Sequence, residues 1–326
     1  MRIFSIIILL VYSMGCIAQK TPEDFGFREL KYNYKGTDVT ILISSKKGEE
    51  DIKKPIMLYC QGSLPQPVLK YDHRGLYGVF PFGENTFQDS YHVVVIGKPG
   101  VPVIADVKEL DSNNYAFYKN GTATNDYKSN NNLEYYLGRN NFVIEKLLKE
   151  PWAAKKGLVV VSHSEGTYVA AKMASTNKKV TKIILSSANP YGRILSILAQ
   201  DRFTGNDETT LDYWKDIVAD KENTGTNGKS DSYKTTYSFS EPIAEDLLNL
   251  KIPVLFCYGT KDWSAPYNDL LQTEAIRRGN RYITFLAYRG LEHNYFPVDE
   301  KMNADLNIYN WTKTGADWKT WLEKTK

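Results

Sequence analysis

The sequence is poor in the residues from which metal centres and disulfide scaffolds are built, with three cysteines and four histidines among 326 residues. It has no C-x-x-C pair and no His/Cys cluster, so no zinc site is legible, and no cofactor is expected. Cys60 and Cys257 lie at the ends of apolar runs and read as small buried hydrophobes rather than a disulfide framework. Charge of one sign is also scarce: the net charge is +3, with no Lys/Arg block, which argues against a nucleic-acid partner. No apolar run is long enough to span a bilayer. Internal repeats and an interdomain linker are both absent. What remains is a chain of ordinary globular composition, 42% hydrophobic and 24% charged, long enough to bury a large core.

Residues 1–19 read as a secretory leader: Arg2, an apolar run from Phe4 to Tyr12, then small residues from Gly15 to Ala18. Cleavage after Ala18 would release a chain starting at Gln19. A second ending takes Gly15-Cys16 as a lipoprotein signal and makes Cys16 a lipid anchor at the cell envelope. Either ending places the mature chain outside the cytoplasm, secreted or periplasmic. Residues 20–326 are read as a single domain.

Along that domain, short apolar runs alternate with helical periodicity. Phe27 to Tyr34 and Val39 to Ser44 alternate polar and apolar and predict an antiparallel hairpin at a sheet edge. Buried strands are predicted at Ile56 to Cys60, Tyr91 to Ile96, Leu158 to Val161, Val180 to Leu185 and Ile252 to Tyr258, and a last strand at Tyr282 to Ala287. The polar stretch from Ala105 to Asn132 reads as a surface insertion, and helical spacing resumes at Leu137. Residues 190–250 break the alternation and read as a cap or lid inserted after the sixth strand. The chain closes on an aromatic amphipathic helix with Trp318, Trp321 and Leu322. Alternating strands and helices imply an α/β fold with a mostly parallel sheet flanked by helices, whose ligands bind beyond the carboxyl ends of the strands.

One strand exit carries chemistry on its face. The β-branched run Leu158 to Val161 meets Ser162-His163-Ser164-Glu165-Gly166 and then a helical pattern, Tyr168, Val169, Ala170, Ala171, Met173. So sharp a strand-to-helix turn admits only small residues two positions either side of its apex, and Ser162 and Gly166 stand there. Ser164 at the apex would hold its hydroxyl above the sheet, beside the positive end of a helix dipole. Two later strand exits add Gly259-Thr260-Lys261-Asp262 and Gly290-Leu291-Glu292-His293.

In their motifs and in the order Ser, Asp, His, residues from about 25 to 325 resemble the α/β-hydrolase family, in its secreted bacterial serine-esterase form. The family pattern begins with glycine where this chain has Ser162. The resemblance implies a serine hydrolase that cleaves carboxylic esters through an acyl-enzyme. Ser164 would be the nucleophile, His293 the general base and Asp262 the residue that orients it. Among the other histidines, His163 should point away from the nucleophile as a packing residue, His92 begins a buried strand, and His73 sits in a loop without a motif. Glu292 and Asp269 are weaker options for the acid. For the oxyanion, the resemblance points to the backbone N–H of Glu165 and to the turn Gln61-Gly62-Ser63, with Ser63 preferred over Gly62 and Leu64. The Glu165 side chain is expected to form a salt bridge at the helix start rather than to face the pocket.

Two other readings stay open. A serine peptidase of the same fold would need carboxylates for a peptide's amino terminus, for which Asp207, Glu208 and Asp212 are candidates. A catalytically silent binding protein would lack a triad member. The substrate is thus expected to be a small ester or a short peptide.

Overall fold

In the computed structural model, which describes residues 20–83, 85–226 and 231–325, the chain is built on an eight-stranded sheet. The leader and Cys16 lie outside the described residues, as do residues 227–230 of the polar loop. The sheet is assembled from β1 (Phe27–Tyr34), β2 (Thr37–Ser44), β3 (Ile56–Cys60), β6 (His92–Ile96), β8 (Leu158–His163), β9 (Val180–Ser186), β10 (Val254–Gly259) and β11 (Ile283–Tyr288). Their spatial order is β1-β2-β6-β3-β8-β9-β10-β11. β1 and β2 form the expected hairpin, with Tyr34 opposite Thr37. Its two linking residues, Lys35 at φ 51° and Gly36 at φ 82°, take the left-handed conformations that match strand twist in a two-residue turn. β2 runs antiparallel to β6, and the later pairings are parallel.

The central runs Ile56 to Cys60, Leu158 to Val161 and Val254 to Tyr258 are apolar at every position because both faces are covered. In β8, Leu158 and Val160 belong to the core that holds helices α2 (Leu133–Leu147), α3 (Gly166–Thr176) and α7 (Ala244–Asn249). Val159 and Val161 point the other way, into a core with Phe80, Phe82, Tyr295 and Trp318. Trp318 belongs to the closing helix α9 (Trp311–Lys324) and is fully buried.

Residues 69–78 and 104–106 build a second sheet, from β4 (Leu69–Asp72), β5 (Gly75–Gly78) and β7 (Ile104–Asp106), in the order β5-β4-β7. The stretch from Ala105 to Asn132, read as a surface insertion, contributes part of β7, a 3-10 turn and α1 (Asn125–Asn130), and it buries Tyr127 and Ala116. Residues 190–250 fold into α4 (Arg193–Thr204), α5 (Thr210–Ala219), α6 (Tyr233–Ser238) and α7. The remaining helix, α8 (Ala265–Arg277), links β10 to β11.

Candidate active site

The carboxyl ends of β3, β8, β10 and β11 meet around Ser164, which follows β8. Its φ of 53° is in the left-handed region, a conformation that β-carbon sterics disfavour and that persists only where surroundings enforce it. Those surroundings are backbone. The Ser164 N–H donates to Ser186 O at 2.8 Å, and its carbonyl accepts from the Thr167 N–H at 3.0 Å and hydroxyl at 2.6 Å. A β-carbon on Gly166 would sit 2.1 Å from Cys60 O, so the helix can approach β3 only with glycine there. Ser162, in the place of the family's first glycine, is fully buried and spends its hydroxyl on Ile184 O at 2.9 Å. A small side chain with an internal acceptor leaves the turn intact.

Gly259 makes the same kind of approach. A β-carbon there would lie 2.2 Å from Leu291 O, so the turn after β10 and the loop after β11 can touch only at glycine. That contact brings Asp262 and His293 together. Asp262 Oδ2 accepts from His293 Nδ1 at 2.8 Å, and His293 Nε2 lies 2.8 Å from Ser164 Oγ. Asp262 Oδ1 accepts from the Ser264 N–H at 2.9 Å. Burial would raise the Asp262 carboxyl, but His293 and the Ser264 bonds outweigh it and hold the group below the usual carboxylate range. For His293, burial favours the neutral ring, yet the Asp262 charge and hydrogen bond win and raise its pKa above the ordinary value. The arrangement can therefore move a proton from the serine to an imidazole that a carboxylate steadies.

The other acid options are occupied elsewhere. Asp269 accepts from the Tyr258 hydroxyl at 2.6 Å, and Glu292 accepts from the N–H groups of Asn294 and Phe296. At the exit of β9, Ser187 donates to His293 O at 2.7 Å, which helps to seat the histidine loop.

His163 is a correction. It does not point away from Ser164: its ring lies 5.2 Å from that of His293, and it lines the same cleft as Ser164. Strand alternation carries it to the face of Val159 and Val161, where Asn294 Oδ1 and Ser186 Oγ each lie 3.1 Å from a ring nitrogen. Burial, with His293 beside it, drives its pKa down to about 3, so it stays neutral.

Glu165 takes up its salt bridge in a larger network. Its carboxylate meets Lys98 at 3.2 Å and Arg193 at 3.3 Å, and Arg193 also pairs with Asp231. The Lys98 ammonium donates to Ser63 O at 2.5 Å, and the Tyr127 hydroxyl donates to the same oxygen at 2.5 Å. One buried cation thus ties the loop after β3 to the residue after the nucleophile. Neither the Ser63 nor the Glu165 N–H donates to a backbone acceptor among the described residues, which leaves both free to bind an oxyanion. Lys98 and Tyr127 escape the sequence reading. Lys98 leaves a signal, since it stands in Gly97-Lys98-Pro99-Gly100 at the exit of β6, on the sheet edge where ligands bind. Removing it would leave the Glu165 carboxylate buried with Arg193 alone. Lys98→Met is expected to cost about 3–5 kcal/mol in denaturant unfolding, and adding Glu165→Gln should recover part of that loss.

Ser164 and His293 open onto a cleft of about 960 Å³, at the upper end of small-molecule sites. Its walls come from the β4–β5 hairpin, from Asn113 to Tyr115, and from Asn294 to Trp311; no described residue of 190–250 lines it. Among the described residues no cluster of metal-ligating side chains occurs, and no helix is long and apolar enough to cross a membrane.

No protein-family model matches the sequence, and no curated protein is similar to it at the level of sequence. Solved structures are similar to it in fold. The esterase Est1E of Butyrivibrio proteoclasticus, with ferulic acid bound, superposes with a TM-score of 0.58 at 12% identity, over 91% of this chain and 98% of that one. The chain has the α/β-hydrolase fold. The acylaminoacyl peptidase of Pyrococcus horikoshii gives a TM-score of 0.55 at 15% identity over 92% of this chain, which spans 41% of the peptidase's length. The esterase Pf2001 of Pyrococcus furiosus gives 0.52 at 11% identity, over 94% of this chain and 92% of that one. Within this fold the elbow, the acid turn and the histidine loop occupy stations along the carboxyl edge of the parallel strands.

Proposed function

We propose that the protein is a serine hydrolase that cleaves carboxylic esters through an acyl-enzyme. The observation that carries the reading is the unbroken relay Asp262–His293–Ser164, with both links at 2.8 Å, opening on a cleft. Ser164 Oγ attacks the acyl carbonyl as His293 Nε2 takes its proton, and Asp262 steadies the imidazolium. The N–H groups of Glu165 and Ser63 receive the oxyanion; losing one such donor typically costs about 3 kcal/mol of barrier. His293 then protonates the leaving alcohol, and water repeats the cycle on the acyl-serine. Aromatic walls including Tyr77, Phe80, Phe296, Tyr309 and Trp311 suit an acyl or alcohol group of some size. Feruloyl esters are among the substrates to try, since Est1E, a protein of this fold, has ferulic acid bound.

The peptidase reading has less support. Asp212 is exposed and pairs with Lys215, Asp207 is half-buried and pairs with Arg202, and neither they nor Glu208 line the cleft. The intact relay speaks against a silent binding protein. Turnover of p-nitrophenyl acyl esters beside aminoacyl anilides is the test, and strong anilide cleavage without ester cleavage would reverse the reading. Export, by leader cleavage or by lipidation at Cys16, stays a proposal that rests on residues 1–19.

The pH profile follows from His293. It must be neutral to accept the serine's proton, and Asp262 raises its pKa, so kcat/KM is expected to rise with pH through a limb set above the ordinary value of about 6.5. A limb below that value would contradict the relay as described.

A further inference from the structure

The wall of the cleft holds a buried cation for which the relay has no use. Lys70, on β4, is 6% exposed and lines the cleft that Ser164 and His293 also line. Its ammonium donates to Gln66 Oε1 at 3.1 Å, and Gln66 is itself oriented by a bond from its Nε2 to Asn114 O. No carboxylate pairs with Lys70 among the described residues, and no Asp or Glu is found among the described residues of the cleft's walls. Arg74 on the same hairpin is already engaged, with two bonds to Asp72 Oδ2 at 3.0 and 2.8 Å.

Lysine is rarely buried without a carboxylate, because an ammonium loses much hydration that a single amide oxygen cannot replace. It has three donors, and Gln66 takes one. Burial draws the group down to about 8, which leaves it mostly protonated at neutral pH. A charge held at that expense against a substrate cleft, on a hydrogen-bonded seat, is suited to meet an opposite charge brought by the ligand.

Resting on the serine-hydrolase reading, we infer that Lys70 receives an oxyanion carried by the substrate, so that the preferred esters bear a carboxylate apart from the scissile bond. The ammonium would pair with it by a charge-assisted hydrogen bond, within a cleft that offers no competing carboxylate among its described residues.

The test compares each acid with its own methyl ester, in two series: mono-p-nitrophenyl esters of adipic, suberic and sebacic acids, and acetate esters of ω-hydroxy acids of matching length. Wild type is expected to favour the acid by about 10- to 100-fold in kcat/KM at one length at least, the worth of a hydrogen bond to a charged group. Lys70→Met should bring that ratio close to one, chiefly through KM, while turnover of the neutral esters stays near wild type. Lys70→Arg should keep part of the preference. The thermal midpoint of Lys70→Met should be unchanged or raised, since an unpaired buried charge is lost. Absence of an acid preference at every length in both series, or a preference that Lys70→Met leaves in place, overturns the inference. Calorimetric binding of the monomethyl and dimethyl dicarboxylates to Ser164→Ala separates this result from failure of the hydrolase reading. Tighter binding of the monomethyl acid that depends on Lys70 supports the subsite even in a protein that turns over no ester, and equal binding of the two rejects it.

Discussion

Ser164→Ala is expected to lower kcat for a p-nitrophenyl ester by on the order of 10⁶-fold and to abolish labelling by a fluorophosphonate probe. The substitution removes one oxygen and leaves the scaffold alone. The backbone bonds at this position, from the Ser164 N–H to Ser186 O and from the Thr167 N–H to the Ser164 carbonyl, need no side chain. The enforced φ of 53° suits alanine no worse than serine, since both carry a β-carbon. Substrate binding should therefore survive, and the loss should fall on kcat rather than KM. A residual rate of about 10³–10⁴-fold over water would reflect the oxyanion donors and binding alone. A loss of less than tenfold would remove Ser164 from the reaction and the proposed function with it.

The site is legible in the sequence because each of its side chains follows a strand through a glycine or a small residue, although β11, which precedes His293, is a half-exposed edge strand. The runs Leu158 to Val161 and Val254 to Tyr258 are apolar at every position, a pattern that only a strand covered on both faces requires. Gly166 and Gly259 are fixed by approaches closer than a β-carbon allows, so the punctuation that marks the turns is the same contact that assembles the site. The sheet is readable for the same reason.

The cleft's walls are not readable. β4 and β5 are four residues each, too short to show an alternation, and they flank the turn His73-Arg74, after which Gly75 opens β5 at φ 141°. Their burial comes from packing over Tyr59 and Phe80, which no local pattern announces. Tyr127 lies in a polar stretch and is buried because its hydroxyl finds Ser63 O, a partner 64 residues away in sequence. The orientation of His163, by contrast, is derivable. It is two residues after Val161 and four after Val159, and strand alternation sets all three on one face. Its position next to the nucleophile in sequence obscures that simpler rule. The short helices α6 and α7, six residues each, escape a periodicity reading because less than two turns cannot display a helical repeat.

Asp262→Asn is the sharper test of the relay, because it changes no volume and yet is expected to lower kcat by on the order of 10⁴-fold. The Ser264 N–H requires an acceptor at the Oδ1 position, so the substituted amide must keep its oxygen there and turn its NH₂ toward His293. His293 Nδ1 would then have to accept, and the ring proton would move to Nε2, the nitrogen that faces Ser164 Oγ at 2.8 Å. In that tautomer the imidazole cannot take the serine's proton. Loss of the Asp262 charge also removes the main influence that raises His293, so the limb of kcat/KM that His293 sets should shift to lower pH as its height falls. Folding should be little changed, as the side chain keeps a donor or acceptor for each neighbour. Thermal unfolding checks that the loss is chemical, and a variant with normal stability and near-normal kcat would show that Asp262 does not hold the tautomer.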